Sequence, residues 1–440
     1  MSNAITIPTL RLDQALIVAD PWPWKVIRCG RRYGKTVLLE TIAADMAARG
    51  EPVGIYAPKF DTLTETFSHL RESLEPIITT SNNGHTIRTK TGGVIDFWSM
   101  ADPNGLFGRG RKYKRVLIDE SAFAPDHMVH QYSTAIKYTT AEFPDAQTLV
   151  FSTPDTQDTT NFFAALHFSD EFRYDPSKSP EENHGKFKQY WRPTHSNPLI
   201  PRAFLDREKE TAHPLKYRQE VLAQFVDFSG ESMFKNINTP VDPHPRYDYI
   251  FAVMDTALKA DVQGQPGHDG SAVVFFGYSA TFFPHLHILD WDVQSIDGIN
   301  QYEWLQEILK HGEYLAKRYG AHFGFQNVII EDKSSGIVLI QAALQNGLPV
   351  TPADSRITAI GKDGRGRLCI DPVYRNEVKF VKEAYDKVVE FKGRTLNHAL
   401  DQVLKYRFAD KASAKREDDA FDCICYGIIY ALVPEFRDFK

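Results

Sequence analysis

Three groups of residues in this sequence have types and spacings suited to chemistry on phosphates. The first is Gly30-Arg31-Arg32-Tyr33-Gly34-Lys35-Thr36. A turn containing glycines points backbone N–H groups at one spot. The Lys-Thr that follows adds an ammonium and a hydroxyl, which together make a cradle for phosphate and Mg²⁺. The start of the loop departs from the regular G-x-x-x-x-G-K-[ST] spacing: Cys29 stands where the first glycine belongs, and Gly30 comes one residue later. The second group is Asp119-Glu120, which closes the apolar run Val116-Leu117-Ile118. Asp119 is expected to hold Mg²⁺ beside the Thr36 hydroxyl, and Glu120 to polarise an attacking water. The third group is dispersed: Asp255, Asp332, and the trio Asp418, Asp419 and Asp422. Carboxylates converging from separate elements would bridge a pair of metal ions about 3.5–4 Å apart, as a phosphodiester displacement requires. Asp418 and Asp422 share a helix face at i,i+4, and Asp419 lies at i,i+3 from Asp422. Spacing alone leaves open which of them reaches the metal.

The elements that must position these groups alternate along the chain. The run Val26–Cys29 reads as a strand entering the glycine turn, and Val37–Ala48 as the helix leaving it. A strand over Pro52–Ala57, a helix over 60–77 and a hairpin-like stretch over 86–98, interrupted by Gly92-Gly93, follow. The strand Gln147–Phe151 runs into Ser152-Thr153-Pro154, small polar residues suited to a γ-phosphate sensor or coupling element. Strand and helix alternation of this kind predicts a mainly parallel sheet. Trp22 and Trp24, just before the first strand, would form either a platform for an adenine base or packing. Arg109, Arg111, Lys112, Lys114 and Arg115 make a local basic run, which reads as a phosphate contact or a solvated loop.

From about 160 to 235 the pattern turns aromatic-rich and irregular, which we read as a lid and linker; Pro240, Pro243 and Pro245 mark a boundary. Beyond it, the strands Tyr249–Asp255, Ser271–Tyr278 and His285–Trp291 suit an antiparallel meander, with a glycine-rich turn (Gly264, Gly267, Gly270) between the first two. A helix over 300–319, a strand ending at Glu331-Asp332-Lys333 and a C-terminal helix complete the chain. The expected domains are therefore 1–165, 166–238 and 239–440.

A chain of 440 residues exceeds one ordinary core. Its net charge of −6 gives no global basic footprint, so a nucleic-acid partner would be held by local patches or through metal ions. No run approaches the roughly 18 apolar residues of a membrane span, no secretory signal is expected, and the four cysteines lack zinc-like spacing, which suits a reducing cytoplasm.

Acids at the end of the first strand of the second domain, at the end of a later strand and on the last helix form a layout that resembles the ribonuclease-H-like nucleases. A P-loop ATPase followed by such a nuclease resembles the large terminase subunit of tailed bacteriophages. The variant P-loop with Arg31, the Ser152-Thr153-Pro154 tip, the stretch Tyr217-Arg218-Gln219-Glu220 through Asp227, and Glu331-Asp332-Lys333 with Asp418-Asp419 and Asp422 carry that resemblance. It implies an α/β architecture: an additional-strand P-loop ATPase with a mainly parallel sheet, then a mixed ribonuclease-H-like domain. It implies that Gly30, Arg31, Arg32, Gly34, Lys35, Thr36, Asp119, Ser152 and Thr153 bind ATP with Mg²⁺, Thr36 and Asp119 holding the metal. Glu120 would orient the hydrolytic water. Arg109, with Arg111 as competitor and DNA contact as the competing role, would be an arginine finger to a neighbouring subunit. Asp255, Asp332 and Asp418 or Asp419, with Asp422 beside them, would hold two Mg²⁺ or Mn²⁺ ions. Many relatives would carry a histidine where Glu417 stands.

The implied function is ATP-driven translocation of double-stranded DNA into a procapsid, with endonucleolytic cutting of concatemers. A cellular ATP-dependent nuclease of defence or repair is the alternative. The implied partners are duplex DNA bound through its backbone, a portal protein and a small terminase subunit. A homo-oligomeric ring on the procapsid is implied, with a monomer in solution. The implied location is the host cytoplasm, outside the mature virion.

Overall fold

The computed structural model describes residues 5, 7–82, 85–101, 107–155, 158–228, 232–256, 270–296, 300–332, 335–408 and 418–436. Glu417, Lys333, Gly264 and Gly267, all singled out in the sequence, lie outside these described residues. The chain divides into two compact units, Met1–Glu210 with Pro214–Asp227 and Thr211–His213 with Phe228–Lys440.

The first unit is built on eight strands: β1 (Trp24–Cys29), β2 (Pro52–Ala57), β3 (Ile78–Asn82), β4 (Thr86–Thr89), β5 (Val94–Ser99), β6 (Arg115–Ile118), β7 (Gln147–Ser152) and β8 (Lys188–Arg192). Their order is β3-β4-β5-β2-β6-β7-β1-β8. The pairs from β5 through to β8 are all parallel, and β3 and β4 join antiparallel at one edge. The cause is legible in the strands themselves. Runs such as Val53-Gly54-Ile55-Tyr56 and Leu149-Val150-Phe151 are apolar on both faces, so each strand must be covered on both sides, as parallel strands with crossover helices are. β7 lies between β1 and β6, so an extra strand separates the P-loop from the Asp119-Glu120 strand, the additional-strand arrangement expected.

One element departs from the lid-and-linker reading. Lys188–Arg192 is the eighth strand of this sheet, parallel to β1 with Lys25 opposite Lys188 and Cys29 opposite Arg192. Its polar, half-buried composition, which reads as irregular on inspection, is what an edge strand tolerates. Asp20 fastens it: the carboxylate accepts from Lys188 Nζ at 2.5 Å, Tyr190 Oη at 2.6 Å and the Trp22 amide at 2.8 Å.

The second unit carries a six-stranded sheet of β9 (Tyr249–Asp255), β10 (Ser271–Tyr278), β11 (Leu286–Gln294), β12 (Phe325–Ile330), β13 (Val350–Pro352) and β14 (Val378–Phe380), in the order β13-β12-β9-β10-β11-β14. β9, β10 and β11 form the expected antiparallel meander, and β12 pairs parallel with β9. The helix Asp419–Leu432, buried along almost its whole length, lies across β9 and β10. Its approach is close at Gly427, where a Cβ would meet the Phe276 ring at 2.2 Å. That contact fixes how far the helix start, and its aspartates, stand from the strand ends.

Burial works against the charge on Asp20, but its three donors outweigh it and hold the carboxyl down from 3.8 to about 2. A depressed value means the stabilisation is complete above the ordinary carboxylate range and is lost as pH falls from about 4 through 2. Asp20→Asn should therefore lower stability at pH 7, by about 1 kcal/mol once solvent screening of the pair is allowed for. In denaturant titrations the gap to wild type should shrink markedly at pH 3; an equal gap at both pH values would refute the assignment.

Candidate functional site

The first unit holds its phosphate loop from three directions. Cys29 is still a strand residue, buried and paired in register with Arg192, so the turn begins at Gly30 rather than one position earlier. A Cβ on Gly30 would sit 2.5 Å from both Thr194 Oγ1 and the Val221 carbonyl oxygen, so only glycine fits between them. The Gly30 amide donates to the Arg192 carbonyl (2.9 Å) and the Arg31 amide to the Glu220 carbonyl (2.7 Å). Thr194 Oγ1 donates to the Arg31 carbonyl at 2.7 Å, and Asn197 Nδ2 to the Arg32 carbonyl at 2.8 Å. From the other side Arg11 Nη2 donates to the Tyr33 carbonyl (2.9 Å) and Gln14 Nε2 to the Gly34 carbonyl (3.1 Å).

These bonds turn the loop's carbonyls outward. Gly34, in the left-handed region at φ +99°, then opens the helix Lys35–Ala48. The first amides of that helix have no intrahelical partner and present the positive end of its dipole. Thr194, Asn197, Glu220, Arg11 and Gln14 were not anticipated as supports of this loop. The Thr-His-Ser-Asn run of short polar side chains was the available signal.

At the tip of β6, the Asp119 amide donates to the Tyr56 carbonyl at 2.8 Å, and the next residue, Glu120, takes the left-handed region at φ +45°. A non-glycine residue held there costs free energy that its neighbours must offset. The Glu120 amide donates to Asp119 Oδ1 (2.9 Å), Lys35 Nζ lies 2.5 Å from Glu120 Oε1, and Ser152 Oγ donates to Glu120 Oε2 at 3.4 Å. Ser152 also accepts from the Ala122 amide at 3.1 Å, and Thr153 beside it is buried. Lys35, Asp119, Glu120 and Ser152 are thus one contiguous group.

Burial raises the Asp119 carboxyl to about 6; the Lys35 charge pulls against this and Glu120 adds to it. Burial pulls the Lys35 ammonium down, but Glu120 and Asp119 overcome it and leave the ammonium above its ordinary value. Thr36 stands exposed at the helix start, and Arg32 is exposed at φ +62°. The Arg31 guanidinium pairs with the Glu220 carboxylate, so its side chain is directed toward residue 220 in this structure.

Arg109 is exposed between Gly108 and Gly110, both at φ +76°. The turn is anchored by buried Phe107, whose carbonyl accepts from Tyr56 Oη at 3.2 Å. Arg111, its competitor, is drawn back to buried Asp96 at 3.6 Å. No hydrogen bond or ion pair among the described residues joins Arg109 to the Lys35–Glu120 pair.

Trp22 and Trp24 are not beside the phosphate loop. Trp24 begins β1 opposite Thr148, and about 3.3 Å per residue along β1 puts it about 17 Å from Cys29. Both indoles line a separate cleft of about 820 Å³ with Tyr132, Phe143, Phe172 and His184. The adenine-platform reading is therefore set aside in favour of packing at the opposite end of the strands.

In the second unit Asp255 ends β9, and β12 runs parallel beside it with Ile330 opposite Met254. The next residue on β12's side is Glu331. Burial pushes the Asp255 carboxyl well above its ordinary value, and Asp422, Asp419 and Glu331 push further against the opposing pull of Arg365. Four carboxylates from three elements therefore crowd one place. Asp419 and Asp422 are buried in the first turn of the last helix, and Asp419 Oδ2 accepts from the Gly270 amide at 3.1 Å. Gln402 Oε1 accepts from the Ala420 and Phe421 amides at 2.8 and 3.2 Å, capping that helix.

Asp332 stands differently from expectation, and Asp418 is ion-paired. Asp332 is exposed, and its neighbour Glu331 turns inward, accepting from Tyr426 Oη at 3.0 Å. Side chains alternate across the sheet as a strand ends, so of two consecutive acids only one faces the cluster. Asp418 pairs with Lys362, whose Nζ is also 3.5 Å from Asp422 Oδ2, and Arg365 Nη2 is 2.7 Å from Asp422 Oδ1. Lys362 and Arg365, three apart on the helix Gly361–Tyr374, were missed; their shared helix face was the signal.

Among the described residues no three or more of these side chains stand at metal-binding spacing. The donor set nonetheless fits hard divalent cations, because repelling carboxylate oxygens are what Mg²⁺ or Mn²⁺ takes. No helix among the described residues is long and apolar enough to cross a membrane.

No protein-family model matches the chain. No curated protein matches it by sequence. Among solved structures, the large terminase of a thermophilic bacteriophage matches at TM-score 0.66 and 13% identity, over 97% of this chain and 100% of that one. The same phage protein in complex with ATP-γ-S matches at TM-score 0.63 and 13% identity, over 96% and 99%. Its ADP complex matches at TM-score 0.62 and 13% identity, over 97% and 100%. Along nearly its whole length the chain shares its fold with these large-terminase structures, across both the parallel-sheet unit and the mixed-sheet unit.

The clamped loop makes a sharp expectation. Thr194→Val keeps the shape but leaves the Arg31 carbonyl without its donor, at a cost of about 1 kcal/mol. ATP affinity measured by calorimetry should fall roughly fivefold, and Gly30→Ala should abolish binding. Unchanged affinity in both variants would show that the loop does not depend on this segment.

Proposed function

We propose that this chain is the motor and nuclease subunit of a viral DNA-packaging machine. The observation that carries the reading is the pairing, in one large-terminase fold, of a P-loop group (Lys35, Asp119, Glu120, Ser152) with a separate carboxylate cluster (Asp255, Glu331, Asp419, Asp422).

In the first unit, Lys35 and the amides at the start of its helix bind the β- and γ-phosphates, and Thr36 and Asp119 hold Mg²⁺. The metal supplies charge neutralisation on the phosphates. Glu120 orients and deprotonates the attacking water. Lys35 Nζ lies against Glu120, so phosphate that draws the ammonium to itself frees the carboxylate to act as base. Ser152, bonded to Glu120 and to the Ala122 backbone, is placed to feel that change and pass it to β7. Arg109, exposed on its glycine-flanked turn, acts on a neighbouring subunit's γ-phosphate in a ring on the procapsid, while Arg111 stays with Asp96. Arg31 leaves Glu220 for phosphate.

In the second unit, Asp255, Glu331, Asp419 and Asp422 would hold divalent ions, whose chemistry would be to activate water and to neutralise charge on the leaving oxygen. Asp418 and Asp332 stand at the margin of this set. The substrate is double-stranded DNA, bound through its backbone because translocation does not read sequence. The portal protein and a small terminase subunit are the expected partners, and the host cytoplasm the expected location.

Two substitutions divide the two activities. Glu120→Gln should reduce ATP turnover by at least about a hundredfold while leaving nucleotide binding within a few-fold. Asp255→Asn should eliminate Mn²⁺-dependent cleavage of plasmid DNA and leave ATP turnover intact. Preserved ATP turnover in the first variant, or preserved cleavage in the second, would refute the corresponding role.

A further inference from the structure

The carboxylate cluster carries its own cations, and they are not equivalent. Arg365 is 3% exposed, its guanidinium lies over the Tyr426 ring at 4.8 Å, and Nη2 is bonded to Asp422 at 2.7 Å. Its Nη1 is 3.9 Å from Glu331 Oε1, and neither Nε nor Nη1 has a hydrogen-bond partner among the described residues. A group so enclosed has nowhere to withdraw. Lys362, one turn earlier on the same helix face, keeps 29% of its side chain exposed and bonds Asp418 while standing 3.5 Å from Asp422 Oδ2. It sits at the rim, on a flexible four-carbon stem that solvent can receive.

We propose that Lys362 is a built-in competitor of the divalent cation at this cluster, and so sets the metal concentration at which the site becomes loaded. This inference rests on the nuclease reading above. Among the described residues, five carboxylates (Asp255, Glu331, Asp418, Asp419 and Asp422) face two cationic side chains (Lys362 and Arg365). The ammonium, 3.5 Å from Asp422 Oδ2, and an incoming Mg²⁺ or Mn²⁺ ion seek the same Asp422 oxygen lone pairs. Like charges brought together on one carboxylate repel, so one must leave. The enclosed guanidinium cannot, and it continues to fix Asp422; the ammonium can. Without metal, Lys362 lowers the repulsion among the acids and closes the cluster. With metal, it is displaced, and its pairing energy is subtracted from the affinity of the ion.

The test is Mn²⁺ binding to the full chain without nucleotide or DNA, followed by the loss of the free-ion paramagnetic resonance signal. Asp255→Asn identifies which bound Mn²⁺ belongs to the cluster. Lys362→Gln should bind that Mn²⁺ roughly tenfold more tightly than wild type, and its cleavage of plasmid DNA should begin at correspondingly lower Mn²⁺. Lys362→Arg, which keeps the charge, should stay within about twofold of wild type. Equal or weaker Mn²⁺ affinity in Lys362→Gln, with wild-type binding still dependent on Asp255, overturns the role of Lys362 alone. Wild-type Mn²⁺ binding indifferent to Asp255→Asn overturns it together with the nuclease reading.

Discussion

A charge taken out of water must find its opposite nearby, and this constraint shapes both halves of the molecule. Lys35 reaches Glu120, Arg365 reaches Asp422, and Asp20 gathers an ammonium, a phenol and an amide. Each of these pairs ties together segments that are distant in the chain. The phosphate loop is joined to the tip of β6, the helix Gly361–Tyr374 to the last helix, and the approach to β1 to the edge strand β8. The functional groups are therefore also tertiary fasteners. In the proposed reactive state a fastener would be exchanged for phosphate or metal.

Both units place their chemistry at the ends of neighbouring strands, where backbone ceases to be consumed by the ladder and side chains become free to converge. In the first sheet β7 lies between β1 and β6, so Ser152 is interposed between the phosphate loop and Glu120 and bonds the latter. In the second, β9 and β12 are parallel neighbours, and Asp255 at the end of one and Glu331 just beyond the end of the other are delivered together. The last helix brings two further acids because Gly427 lets it lie against Phe276 without a side chain between them.

Much of this was legible from residue types alone. The glycine turn with Lys-Thr and the Asp-Glu strand end gain their meaning from occurring in order, and the three apolar runs Tyr249–Asp255, Ser271–Tyr278 and His285–Trp291 follow one another closely enough for the meander to be seen. Cys29 in the place of a first glycine was legible as an irregularity, and its cause is that β1 is one residue longer, carried on by pairing with Arg192. What could not be read were partnerships between distant segments. Nothing local in Thr194, Asn197 or Glu220 says that they hold residues 30–32. Nor does the run at 331–332 say which acid turns inward, since that depends on how the strand leaves the sheet. Lys362 and Arg365 were passed over because attention to acids leaves out the cations such acids require. Trp22 and Trp24 left two readings open for the converse reason: nearness in sequence to a phosphate loop is not nearness in space when a six-residue strand intervenes.

The edge strand β8 also decides where a nucleotide-binding fragment of this chain can end. The strands through β7 look self-sufficient on paper, since they include every residue expected to touch ATP. A polypeptide stopped near residue 165 would nevertheless expose one whole edge of β1, the strand from which the phosphate loop springs, to pairing with other chains. It would also strip the Arg31 and Arg32 carbonyls of their donors. The smallest piece able to keep the loop's shape runs on through Val221, whose carbonyl accepts the Thr194 amide. The proposed nucleotide site, compact in space, is in sequence a property of more than two hundred consecutive residues, from Arg11 to Val221.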